Sequence, residues 1–176
     1  MEENDLKPET IEKIVATPHP IVQFKLWQEN SLRTEEDYSF YAPFLLACAA
    51  YKINKAHWLD EDVRQDPRIR DFMERVKVEI VVDEKGFGIP RLENPEARSM
   101  AVEVIADGRS FKKRSIHIKG LWQHEESRNT DEELIEKFSS NSSRILSSDQ
   151  INKAAHTILD LDRFETIAEV MKLIAP

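Results

Sequence analysis

Two alternating stretches joined by Asp107-Gly108 constrain the fold of this chain more than any other feature. Residues 99–106 (SMAVEVIA) and 109–118 (RSFKKRSIHI) have the side-chain alternation of strands in a half-buried sheet. Asp-Gly between such stretches favours a type I′ turn, because both central residues of that turn need positive φ. The sequence therefore predicts an antiparallel hairpin. The run VKVEIVV at 76–82 predicts a third strand of the same antiparallel sheet.

Helical signals precede this third strand. Residues 43–51 are apolar on every side, which is typical of a buried helix, and Pro43 suits its first turn. Asp66-Pro67 predicts the N-cap and first residue of another helix, which leads directly into the strand at 76–82. A brief strand at 14–16 is predicted to end before Pro18.

The last third of the chain is predicted to be helical. Capping-box spacings mark three helix starts, at Thr130/Glu133, Ser147/Gln150 and Asp162/Glu165. The apolar residues expected to be buried by these helices are Leu134, Ile135, Phe138, Ile151, Ala155, Ile158, Phe164, Ile167, Val170 and Ile174. The order of elements predicts an α+β domain over 1–176: a small antiparallel sheet of three or four strands at about 12–120, helices on one face, and C-terminal helices at about 130–175.

Charge and cysteine content limit the possible classes of function. The 176 residues carry a net charge of −8, which argues against nucleic-acid binding. The single cysteine, Cys48, excludes an internal disulfide framework and suits a reducing compartment. The acidic first residues do not resemble a signal peptide, and the longest apolar stretch is too short to cross a bilayer. We therefore expect a soluble cytoplasmic protein that does not bind membranes.

Read in order, several short segments resemble one enzyme family. They are 38–40 (YSF), the small-residue helix 45–50, 66–68 (DPR), 73–78 (MERVKV), 107–109 (DGR), Lys119-Gly120, 131–134 (DEEL), Lys137-Phe138 and 159–161 (LDL). The set is similar to the C-terminal domain of the MmgE/PrpD family, which includes 2-methylcitrate dehydratase, cis-aconitate decarboxylase and iminodisuccinate epimerase. The resemblance covers nearly the whole chain.

The resemblance implies a lyase domain whose substrates are small di- or tricarboxylates. It also implies that a longer N-terminal helical domain, which is absent from this sequence, carries most catalytic residues, and that members are commonly dimers. The family pattern Ser-x-x-Tyr is disturbed here, because Ala42 occupies the tyrosine position after Ser39. Tyr41, one residue away, is the candidate for that catalytic role.

Carboxylate substrates call for cationic donors and for a general acid or base. Lys113, His117 and Lys119 would share one face of an extended strand, so they are the candidates for substrate binding. The competing interpretation is an ordinary solvated sheet face, as antiparallel sheets often have. The histidine spacings do not suit a metal, and we expect no metal and no cofactor. Cys48, within an apolar helix, is expected to be buried and unreactive.

Three functions remain open. The chain could be the substrate-covering domain of a dehydratase-like lyase, inactive without a helical partner that lies on a separate polypeptide or outside this sequence. It could instead be a stand-alone, non-catalytic remnant that serves as an interaction or regulatory protein. A third option is an independent enzyme built on Tyr41, His117 and Lys119. In each case we expect a homo-oligomer or a helical-domain partner chain.

Overall fold

A computed structural model of the chain describes residues 2–18, 31–79, 100–115, 119–120, 125–163 and 166–174. The chain forms two compact units, residues 1–118 and residues 119–176. The first unit contains a four-stranded sheet with helices, and the second unit is helical. The predicted α+β class is confirmed.

The sheet of the first unit has the strand order β2-β1-β3-β4. Its strands are β1 (Ile11–Thr17), β2 (Val76–Val78), β3 (Met100–Ala106) and β4 (Arg109–Ser115). β3 and β4 form the predicted antiparallel hairpin, in which Val104 lies opposite Phe111. At the turn, Asp107 and Gly108 have φ values of 50° and 68°. Positive φ at both positions confirms the turn chemistry that was read from the sequence.

The sheet is mixed rather than wholly antiparallel. β1 pairs antiparallel with β3 but parallel with β2, with Ile14 opposite Val76. The prediction that the 76–82 strand joins an antiparallel sheet is therefore wrong in its direction, and residues 80–82 lie outside the described part. The physical reason is the long connection between β1 and β2, whose described residues form four α-helices. Such a crossover lets the chain re-enter the sheet in the same direction.

Four α-helices lie between β1 and β2 in the part of the chain that the structure describes. They are α1 (Glu35–Ser39), α2 (Ala42–Ala50), α3 (Glu61–Gln65) and α4 (Pro67–Met73). Asp66 caps α4 as predicted, because its carboxylate accepts the backbone N–H of Arg68 at 2.8 Å. α1 begins with a capping box between Thr34 and Asp37, which was not predicted.

The core of the first unit lies between the helices and one face of the sheet. Phe44, Ala47 and Cys48 of α2 and Phe72 of α4 have no exposed surface. They pack in one cluster with the sheet residues Ile11, Ile14, Val104 and Ala106. The ring of Tyr38 meets that of Phe44 edge to face, with 4.8 Å between their centroids. The predicted buried helix and the helix-covered face of the sheet are both confirmed for this unit.

The second unit contains α5 (Asp131–Ser142), α6 (Ser148–Leu159) and α7 (Ile167–Ile174). Thr130 and Glu133 form the predicted capping box of α5, and Ser147 and Gln150 form that of α6. The third predicted cap cannot be compared, because Glu165 lies outside the described residues.

Burial in the second unit is lower than the apolar pattern predicts. Ile151, Ala155 and Val170 are buried as expected, together with Leu146 and Ala154. The helix α5 has no fully buried residue, so the prediction is wrong for Leu134, which is 41% exposed, whereas Ile135 and Phe138 are half-buried. Phe164, which was also predicted to be buried, lies outside the described residues. Ile158 and Ile167 are also exposed, at 41% and 59%, and Ile174 is half-buried. Three short helices cannot enclose every apolar side chain that they carry, because small units bury a small fraction of their surface.

Candidate functional site

A cavity of about 700 Å³ lies beside the sheet and α2 in the first unit. Its apolar lining comes from the sheet, from α2 and from the N-terminal segment: Leu6, Ile14, Leu46, Ala49, Ala50, Met100, Val102, Val104 and Phe111. Its polar lining consists of Glu3, Asn4, Lys52, Lys112, Lys113 and Ser115. Ligand sites in proteins typically measure about 300–1,000 Å³ and combine apolar walls with a few polar groups. The cavity has that size and composition.

Strand alternation places the apolar wall on the helix side of the sheet. Val102 and Val104 of β3 point to the same side, and Val104 lies opposite both Ile14 and Phe111. Glu103 belongs to the alternate set of β3 residues. Its carboxylate accepts a hydrogen bond from Ser110 Oγ at 2.6 Å and pairs with the Lys112 ammonium at 3.3 Å. These contacts hold the pKa of Glu103 below its usual value.

The end of α2 positions Lys52 in the cavity lining. The backbone N–H of Lys52 donates to the Ala49 carbonyl at 3.1 Å, and that of Ile53 donates to the Cys48 carbonyl at 3.0 Å. This bond pair is a Schellman motif, in which the residue after the cap adopts left-handed backbone angles. Lys52 has φ 55° at that position, where glycine is the usual residue.

An ion pair between Lys113 and Glu3 lies in the cavity lining. The ammonium of Lys113 on β4 donates to the Glu3 carboxylate, which belongs to the first helical turn of the chain (Glu2–Asn4). The hydrogen bond and the positive charge of Lys113 both lower the pKa of Glu3. Lys113 was predicted as a substrate-binding candidate, whereas Glu3, Leu6 and Lys52 were not. A contact between residues so far apart in the sequence leaves no local signal.

Lys119 lies in the second unit. Its ammonium is 2.8 Å from Glu133 Oε2 and donates to the Arg128 carbonyl at 3.0 Å. The same Glu133 oxygen accepts the backbone N–H of Thr130, so Lys119 is attached to the capping box of α5. Lys113 and Lys119 are thus held by different carboxylates, Glu3 and Glu133. The third predicted substrate-binding candidate, His117, lies outside the described residues.

Tyr41 is half-buried at the N-cap position of α2. Burial raises the pKa of its phenol, and the charge of Glu74 raises it further. Tyr41 packs against the core cluster and is not among the residues that line the cavity. A phenol with a raised pKa stays protonated at neutral pH, so it can donate a hydrogen bond but is a poor general base.

Neither an accessible thiol nor a metal-binding cluster is found among the described residues. Cys48 is fully buried in α2, and burial raises the pKa of its thiol to about 12. Within the described ranges, no group of three or more His, Cys, Asp or Glu side chains could hold a metal ion. In the same part of the chain, no helix has the length and apolar character needed to cross a membrane. Ser127 is the one buried polar side chain of the described residues.

The first unit combines an α+β fold with a cavity of the size of a ligand site. The ring of His57 contacts the Asp60 carboxylate at 3.0 Å, but neither residue lines the cavity. The family model of the MmgE/PrpD C-terminal domain matches residues 1–162. The chain therefore belongs to the MmgE/PrpD C-terminal domain family, as its sequence motifs indicated. No curated protein matches the chain.

Proposed function

We propose that this chain is the substrate-covering domain of a 2-methylcitrate-dehydratase-like lyase that acts on a small di- or tricarboxylate. On its own it is inactive, because a helical partner domain supplies the main catalytic residues. Family membership over residues 1–162 is the observation that carries the proposal.

The chemistry of such a lyase requires two groups that act together. A base removes the proton beside a substrate carboxylate, and an acid assists departure of the hydroxyl as water. Tyr41 has a raised pKa, which makes it a poor base, and Cys48 is buried with a pKa of about 12. His57 contacts Asp60 at 3.0 Å, but neither residue lines the cavity. This pattern supports a covering role, in which the domain contributes charge and excludes water.

Cationic side chains are what the described residues do offer. Lys113 and Lys119 both already contact carboxylates, those of Glu3 and Glu133. A substrate carboxylate can replace Glu3 or Glu133 as the partner of its lysine, because one negative charge then takes the place of another. Together with His117, these lysines are the proposed contributors to substrate binding.

The experiment measures turnover of 2-methylcitrate by the purified chain, alone and mixed with the helical domain of a family enzyme. The conjugated double bond of the product is followed by its ultraviolet absorbance. We expect no turnover by the chain alone, because each missing acid or base group costs about a hundred- to ten-thousand-fold in rate. Mixing should restore activity. Turnover by the chain alone would contradict the proposal and favour an independent enzyme.

A pair of variants tests the cationic contribution in the active mixture. Lys119→Gln should raise KM about tenfold or more, because it removes a charged hydrogen-bond donor from the substrate. Lys137→Gln, an exposed lysine of α5 in the same unit, is the matched control and should leave KM unchanged. Equal KM values for both variants would show that Lys119 does not bind the substrate.

A second candidate function, a stand-alone interaction protein, is favoured by the exposed apolar side chains of the second unit. Ile145, Ile167 and Met171 are 68%, 59% and 54% exposed. Light scattering at micromolar concentration tests self-association, which the double variant Ile167→Glu/Met171→Glu should abolish. Lys172→Glu on the same helix is the control for added negative charge. A wild-type chain that stays monomeric would contradict self-association.

A further inference from the structure

The cavity of the first unit is too apolar for the substrate class proposed above. Nine of its lining residues are apolar, and Ile14, Val104 and Ala50 among them are buried. A di- or tricarboxylate has little hydrocarbon to place against such walls, and burying its charges there would cost more than the contacts return. The cavity instead suits a molecule with a long apolar part.

The lining of the same cavity includes a carboxylate–ammonium contact. Lys113 donates to the carboxylate of Glu3, and both residues belong to the lining. Lys112 also belongs to it, but its ammonium pairs with Glu103. The Glu3–Lys113 pair therefore marks a position in the cavity lining at which a carboxylate contacts an ammonium group.

We propose that this cavity binds a monocarboxylate with an unbranched apolar tail, of the fatty-acid type. The ligand carboxylate replaces that of Glu3 on Lys113, and the tail lies against Val102, Val104 and Phe111. The exchange leaves the charge around Lys113 unchanged, since one carboxylate leaves as another arrives. Burial of the tail then supplies the net driving force. Glu3 acts as an internal competitor that occupies the site when no ligand is present.

Direct titration of the chain with decanoate, below its micelle concentration, measures the binding by calorimetry. Affinity should rise about fourfold for each methylene from hexanoate to decanoate, because each buried methylene contributes a fixed free energy. Decanol of the same chain length should bind more weakly, because it lacks the charge that Lys113 recognises. Absence of saturable decanoate binding, or equal affinity for decanoate and decanol, would overturn the proposal.

Charge variants give the sharper test because their effects have opposite signs. Glu3→Gln should strengthen decanoate binding by about threefold or more, since it removes the internal competitor. Lys113→Gln should weaken it about two- to fivefold, since it removes a charged donor whose side chain is 74% exposed to water. Neither should change the affinity for decanol. Lys77→Gln, which alters an exposed lysine on β2 that pairs with Glu79, is the control and should have no effect. Weaker binding by Glu3→Gln would contradict the competitor role.

A space-filling variant tests the location of the tail. Ala49 lines the cavity but is exposed on α2, so Ala49→Phe can fill the space without disturbing the core. Its native circular dichroism should persist while binding of decanoate and decanol is lost; unchanged binding would overturn the proposed site. Failure of a helical domain to restore activity would affect only the lyase proposal.

Discussion

Asp66 caps helix α4, and removing its carboxylate should destabilise the first unit. The geometry of this helix cap determines how large the loss of stability is. One oxygen of Asp66 accepts the N–H of Arg68 at 2.8 Å, which satisfies a donor at the start of α4. The other lies 2.6 Å from the Arg68 guanidinium. The Asp66 side chain is only 16% exposed, so water replaces these contacts poorly once they are lost.

The capping interaction of Asp66 accounts for most of the expected fall in the free energy of unfolding. Replacing a capping Asp by Ala typically costs about 0.5–2 kcal/mol. Asp66→Asn keeps a capping oxygen and loses only the favourable interaction of a negative charge with the helix dipole, about 0.3–1 kcal/mol. Arg68 adds little to either value, because its side chain is 72% exposed. We therefore expect the free energy of unfolding to fall by about 1–2 kcal/mol for Asp66→Ala and by roughly half as much for Asp66→Asn.

The pH dependence of stability distinguishes the contribution of the Asp66 charge from that of its capping hydrogen bond. Hydrogen bonds from Arg68 hold the pKa of Asp66 below its usual value of 3.8. A carboxyl whose pKa is lower in the folded state stabilises the fold above its unfolded pKa, and that contribution is lost as pH falls through its folded pKa. The advantage of the wild type over Asp66→Asn should thus be constant near neutral pH and shrink below about pH 4.

Urea unfolding followed by circular dichroism, repeated across this pH range, provides the measurement. Asp66→Asn is the matched control, because it keeps the shape and the capping oxygen of the side chain. A difference between wild type and Asp66→Asn that does not change from neutral pH to pH 3 would refute the reasoning. So would an Asp66→Ala variant as stable as the wild type.

Three further predictions concern the first unit. Phe44→Ala removes a ring with no exposed surface, so the free energy of unfolding in urea should fall by about 3–5 kcal/mol, and a loss below 1 kcal/mol would contradict its central position. Gly108→Ala should cost about 1–2 kcal/mol in the same assay, because φ is 68° there although the space for a Cβ is open; an unchanged midpoint would argue against this turn. Cys48 should resist thiol reagents at pH 8 and react fully in urea, since its pKa is about 12; rapid labelling of the native chain would show that the thiol is accessible.

Local signals in the sequence predicted the parts of the fold that local interactions determine. The turn at Asp107-Gly108 and the helix caps at Asp66, Thr130 and Ser147 each depend on residues within a few positions of one another. The buried helix α2 was predictable because its residues are apolar on every side.

Features that depend on distant residues were not predictable from the sequence. The parallel pairing of Ile14 with Val76 follows from how four intervening helices pack, which no local pattern records. The contact between Glu3 and Lys113, which both line the candidate site, has the same origin. Exposure of Leu134 and Ile167 also depends on tertiary packing, because periodicity shows which side of a helix is apolar but not whether another element covers it.

The central place of β1 in the sheet has a consequence for how the chain folds during synthesis. β1 leaves the ribosome long before both of its neighbours in the sheet: β2 begins at Val76, and the partner of Ile11 in β3 is Ala106. At about 5–20 residues per second, the first strand waits several seconds with both edges unpaired. Such long-range pairing slows folding and leaves strand edges open to wrong partners. We expect chains arrested before β3 to aggregate through this segment, and chains that extend beyond β4 to be protected from it.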